Sequence, residues 1–157
     1  MAGHDTITPE GRKFYAEVDK LKAQEVFIGF QAGKKKHKAK DGEDGVDMAS
    51  VAMFNELGTS TSPSRPFLRQ TVDDNKDEIN EFVENATKQL AKGGSAESCL
   101  KKIGAYGVKL VQEKIKSGTF TPNAPSTIQS KGSSKPLIDT GEMRQSVHYV
   151  IKGKGGG

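Results

Sequence analysis

Apolar residues recur along the chain at two spacings, and the spacings divide it into elements. Phe14, Val18 and Leu21 stand four and three apart, one face of a helix. Thr8 can cap that helix, Pro9 suits its first turn, and an end near Ala23 is expected. Residues 25–30, with Val26, Phe27, Ile28 and Phe30, read as a short strand. Helical spacing returns over 47–57 at Val51, Phe54 and Leu57, with Asp47 or Ser50 as cap and Gly58 as terminator. Pro66 opens one expected long helix to Lys92. Leu68, Val72, Ile79, Val83, Ala86 and Leu90 line one side of it, with Phe82 beside them. Gly93 and Gly94 break it. Ser95 caps the next helix, whose stripe is Leu100, Ile103, Gly107, Leu110 or Val111, and Ile115.

Gly104 and Gly107 interrupt that last helix, where each glycine costs roughly 1 kcal/mol of propensity. Such a pair is expected where another backbone comes close. The Gly-Gly connection makes the two helices an antiparallel hairpin. Residues 137–146 hold a brief helix, and 147–152 alternate as a final strand. Three stretches lack periodicity. Residues 31–46 read as a mobile loop of mixed charge, 59–65 as an extended connection, and 119–136 as irregular chain with a short strand at 126–130. Strands near both ends with helices between predict an α+β fold, a small antiparallel β-sheet packed against a long antiparallel helical hairpin. The expected organisation is a single domain over 1–152 and a flexible Gly-rich tail over 153–157.

Composition changes this picture little, but charge does. The chain has 157 residues, 33% of them hydrophobic, with 18 glycines and no tryptophan. That is one domain's worth of core with much loop. No apolar run has the ~20 residues of a membrane helix. The segment MAGHDTITPEGRKFY lacks the apolar core of a secretory signal. Cys99 is alone, so no internal disulfide is expected, in keeping with a reducing cytoplasm. The net charge is +4, but it is unevenly spread: +1 over 1–46, −3 over 47–94 and +6 over 95–157. The acidic middle comes from Asp73, Asp74, Asp77, Glu78, Glu81 and Glu84. The basic third includes Lys101, Lys102, Lys109, Lys114 and Lys116. A nucleic-acid binder has such a polarity, and so has a subunit whose basic side meets its neighbour's acidic side.

Several stretches look like chemistry, and each has a plainer reading. Lys34, Lys35, Lys36, Lys38 and Lys40 would attract phosphate, but no aromatic residue is interleaved and Asp41, Glu43, Asp44 and Asp47 follow at once. A solvated loop is the simpler account. Asp139-Thr140-Gly141 matches the nucleophile motif of aspartic proteases. However, Glu142 three residues on makes it a helix cap, and GEMRQS is polar. The acidic run from Asp41 fails as a calcium loop, because its twelfth position is Ala52. His4, His37 and His148 have no partner at ligand spacing. Cys99 lies early in a helix, where a thiol pKa can fall, but no His–acid pair accompanies it. No catalytic residue, cofactor or metal is expected.

Two segments resemble a known family. Residues 51–69, VAMFNELGTSTSPSRPFLR, are similar to a motif of phage head–tail joining and tail-completion proteins. Residues 122–150, PNAPSTIQSKGSSKPLIDTGEMRQSVHYV, are similar to the ending of many of them. The family often has Phe at the place of Leu57. The resemblance implies a structural virion protein of the neck or tail end, assembled in the host cytoplasm. It would form a ring of six between head connector and tail tube or terminator, with DNA only as the passing genome. Expected contacts are Phe54, Leu57 and Phe67 as apolar anchors, Pro125 and Leu137 in the loop before the last helix, and Arg65 and Arg69 as carboxylate binders. Asp77, Glu78 and Glu81 would face the basic third of the next subunit. Other readings are a tail terminator or minor tail protein, a nucleic-acid-binding module using the Lys-rich loop, and an aspartic-type protease.

Overall fold

The computed structural model describes residues 6–31, 48–60, 63–117 and 141–154. In chain order its elements are α1 (Pro9–Lys22), β1 (Gln24–Gly29), α2 (Met48–Leu57), α3 (Phe67–Asp74), α4 (Lys76–Ala91), α5 (Ala96–Ser117), α6 (Gly141–Ser146) and β2 (His148–Gly153). The fold is α+β, mostly helical with one small antiparallel sheet. The expected loop over 31–46 and strand over 126–130 lie outside the described residues, apart from Gln31.

Local chemistry sets several of the helix ends. The Thr8 hydroxyl accepts from the N–H of Gly11 at 3.0 Å, and Pro9 starts the first turn of α1. At the end of α4, the N–H of Gly94 donates to Gln89 O at 2.8 Å and that of Gly93 to Leu90 O at 3.2 Å. This pair of bonds is a Schellman closure, and it needs the left-handed Gly93 (φ 92°). Ser95 then accepts from the N–H of Ser98 at 3.1 Å and starts α5.

α5 is the spine: α1, α3, α4, α6 and both strands pack on it. β1 and β2 pair antiparallel, with Val26 opposite Ile151, Phe27 opposite Val150 and Ile28 opposite Tyr149. The chain's first and last described strands thus close on each other over the middle of α5. The sheet comes close to α5, as the glycines suggested, and the space over them is filled by side chains. A Cβ on Gly104 would overlap the ring of Tyr149, and one on Gly107 would overlap Ile28. Two apolar clusters flank the spine. The first gathers Met48, Ala52, Phe67, Val111, Ile115, Met143 and Val147. In the second, Ala86, Leu90 and Cys99 meet Phe14, Val18, Leu21, Phe82 and Ile103.

Two expectations need correction. The long helix over 66–92 is two helices, broken at Asn75 (φ −119°, ψ 20°). There the Asn75 amide donates to Thr71 O at 2.8 Å, and Thr71 Oγ1 to Phe67 O at 2.6 Å. Such side-chain bonds compete with the helical ladder. The break also turns the buried face. α3 buries Phe67 and Thr71, and Val72, expected in the core, is 55% exposed. Residues 153 and 154, expected in the tail, belong to the sheet region: Gly153 pairs with Gln24 and the N–H of Lys154 donates to Ala23 O at 2.8 Å.

The packing on Gly104 makes a prediction opposite to helix propensity. Alanine is the better helix former by roughly 1 kcal/mol, but overpacking costs about 1–3 kcal/mol. Gly104→Ala should therefore destabilise the protein, and should cost much less in a Tyr149→Ala background. Denaturant titration of the four proteins measures this, and plain additivity would show that the ring does not set the clash.

Candidate interaction surface at the joint of α2 and α3

The described residues of 51–69 form a joint, which Asn55, Glu56, Ser64 and Arg65 hold together through hydrogen bonds. α2 ends at Gly58 (φ 77°), whose N–H donates to Phe54 O at 2.9 Å. A side chain there would be strained by its φ, and its Cβ would lie 2.7 Å from the backbone nitrogen of Ser64. The returning chain is stitched to α2. Ser64 Oγ donates to Glu56 O at 2.6 Å, and the N–H of Arg65 to Asn55 O at 2.6 Å. The Asn55 amide in turn donates to Val51 O at 2.9 Å.

Glu56 does the most unusual work. Pro66, which precedes α3, offers no side-chain cap. The Glu56 carboxylate supplies one from twelve residues back, accepting from the N–H of Leu68 at 2.9 Å and of Arg69 at 3.1 Å. Glu17 plays the same part for α5. Its carboxylate accepts from the N–H of Ala96 at 2.7 Å and pairs with Lys20 at 3.2 Å. The bond from Ala96, then that from Lys20, holds the Glu17 carboxyl below its ordinary value. Neither cap was foreseen. For Glu17 a signal existed: a charge set into the stripe of Phe14, Val18 and Leu21.

The expected contact residues divide. Phe67 is fully buried, edge-on to Phe30 with centroids 5.9 Å apart, so it anchors the core and not a neighbour. Arg65 is buried too, and desolvation lowers its pKa, so it is no free carboxylate binder at the surface. Both point inward because the stitched return fixes their direction. Arg69 is exposed beside Asp73 at 3.6 Å. Phe54 and Leu57 are 46% and 72% exposed, and Met53, which sequence reasoning passed over, is 51% exposed. These three sit at positions i, i+1 and i+4 of α2, on one face opposite Met48 and Ala52. Pro125, Leu137, Lys34, Lys35, Lys36 and Lys38 lie outside the described residues, as do Asp139 and Thr140.

The acidic stretch and the basic third are partly satisfied within the subunit. Asp74 pairs with Lys114 at 2.8 Å, Glu84 with Lys88 at 3.4 Å, and Lys101 with Glu97 at 2.8 Å. Asp77, Glu78 and Glu81 are exposed and take no part in the described ion pairs. Beside Glu78 lies Tyr106, stacked on Phe82 with centroids 4.0 Å apart. The Tyr106 oxygen is buried, and no hydrogen bond of good geometry reaches it, although the Glu78 carboxylate stands nearby. Burial first, then Glu78, Glu113 and Glu81, push its phenol up to about 12.

Cys99 is buried, and desolvation raises its thiol, partly offset by Lys102, which is the reverse of the fall considered for a helix start. An open cleft of about 710 Å³ runs past the start of α5, lined by Glu17, Lys20, Gln24, Leu100, Lys101 and Ile151. Its charges are the ones already paired. Among the described residues no group of three or more His, Cys, Asp or Glu is placed to hold a metal ion. No described helix is long and apolar enough to cross a membrane. Compared with protein-family models, with curated proteins and with solved structures, the chain matches none.

Two outcomes follow from the distant caps. Glu56→Ala should cost about 0.5–2 kcal/mol, the range for a lost cap. It should also speed amide exchange at Leu68 and Arg69 before the rest of the core, and unchanged exchange there would remove Glu56 from this role. Glu17 has a lowered pKa in the folded state, so its contribution is complete above the ordinary carboxyl range. That contribution is lost as pH falls through the lowered value. Glu17→Gln should therefore narrow the stability gap to the parent protein as acid is added, read as melting temperature against pH.

Proposed function

We propose that this chain is a structural subunit of the neck or tail end of a tailed bacteriophage, one of a ring of six that joins tail to head. The observation that carries the reading is the segment 51–69, similar to the motif of head–tail joining and tail-completion proteins. Its Glu56, Gly58, Ser64, Arg65 and Phe67 are used to build a rigid joint, and its Met53, Phe54 and Leu57 are left facing solvent. That is the division expected of a scaffold with a contact face. The second segment, 122–150, follows in the family's order and ends in β2, which closes the sheet. The subunit would assemble in the host cytoplasm, become part of the virion, and contact itself, the connector side and the tail-tube or terminator side.

A second reading, a nucleic-acid-binding module, draws on Lys102, Lys109 and Lys116, exposed at seven-residue intervals along α5. Salt-sensitive retardation of short duplex DNA by the free subunit would favour it.

The charge left over on α4 tests the assembly role. Ion pairs at a surface are worth about 0–1 kcal/mol each, so Asp77, Glu78 and Glu81 would set register and not affinity. Asp77 and Glu78 also lie in the first turn of α4, where a positive charge costs about 0.3–1 kcal/mol. Reversing all three to Lys should leave a folded, slightly less stable subunit by circular dichroism. Infectivity should be lost, with filled heads and separate tails seen by electron microscopy. Normal virions carrying the triple reversal would remove this surface from the ring contact.

A further inference from the structure

The exposed large apolar side chains of the described residues are not scattered evenly. Ile7 and Tyr15 stand singly on or beside α1, as surface apolar residues often do. The others fall into two patches. One is the face of α2 made by Met53, Phe54 and Leu57; Val72 is exposed on α3, which packs against α2. The second is the outer face of the sheet, where Phe27 (49% exposed) and Val150 (36% exposed) are register partners.

Resting on the ring reading, we propose that the α2 face of one subunit seats on the outer sheet face of the next copy, in a head-to-tail contact. The two patches lie on different elements and differ in shape. A contact between unlike patches repeats from copy to copy and closes into a ring when its rotation divides the circle, whereas a patch meeting its own copy stops at a dimer.

Charge supports the pairing. The α2 face carries no free charge, because its nearest carboxylate, Glu56, is committed to the N–H groups of Leu68 and Arg69. Burying it therefore strands no ion. Each patch is bordered by one cation and one anion. Arg69 and Asp73 stand on α3, and Glu25 and Lys152 face each other across the sheet, two residues from Phe27 and Val150. Arg69 can thus meet Glu25 while Asp73 meets Lys152, and the opposite orientation would set like charges together. An interface burying ~800 Å² per partner has an apolar core and a polar rim, and each patch brings both.

Thiol cross-linking of the full chain tests the contact. Leu57→Cys and Val150→Cys both fall on exposed positions, so the fold should survive, and the native Cys99 is buried. Under mild oxidation the double variant should give a ladder of linked species rising past the dimer on a denaturing gel. Each single variant should give none. A linked dimer from Leu57→Cys alone would show a patch meeting its own copy and overturn the proposal. A subunit that joins heads to tails, yet shows no ladder when the double variant is oxidised in assembled particles, would overturn this contact and leave the ring reading standing. Failure of the ring reading itself would show differently, as normal virions formed without the subunit.

Discussion

α5 must touch nearly everything, and the whole arrangement depends on how closely the sheet can sit on it. An ordinary helix keeps a strand pair away by the bulk of its side chains. Here Gly104 and Gly107 remove that bulk where Tyr149 and Ile28 descend. The cost in helix propensity is offset by the burial it permits. With the sheet seated, the first and last described strands are held at one place on the spine. The two apolar clusters then form on either side of α5: one under α2, α3 and α6, the second under α1 and α4.

Carboxylates borrowed from distant elements are the second organising device. Glu56 caps α3 across the return loop, and Glu17 caps α5 from α1, seventy-nine residues away in sequence. Each satisfies backbone N–H groups that the local sequence leaves open, at Pro66 in one case and beside Ser95 in the other. Capping of this kind couples helix ends to the tertiary fold. It also withdraws acidic groups from the surface, so the charge a partner meets is not the charge counted along the chain. Asp74 and Lys114 act similarly between α3 and α5.

The apolar face of α2 gains its meaning from that economy. Around it Asn55, Glu56 and Ser64 form hydrogen bonds inside the subunit, and three large side chains remain outside. A joint that rigid presents them at fixed angles, which is what a repeating contact requires and what a freely moving loop would lack.

Much of the fold was legible in the sequence because it is written in local terms. Thr8-Pro9, Gly58, Gly93-Gly94 and Ser95 end or start helices through their own backbone chemistry, and the periods of 3.6 and 2 give the elements between them. The pairing of the two terminal strands into one small sheet followed from their places at the ends of the chain. What only the tertiary structure decided is where side chains point once elements meet. Asn75 divides a continuous helical pattern because α3 and α4 must lie over different clusters, and that turns Val72 out and Phe67 in. Phe54 and Phe67 are the same residue type thirteen positions apart, yet one faces solvent and the other the core. Periodicity reports that a residue is apolar, and not whether the apolar surface it meets belongs to its own chain.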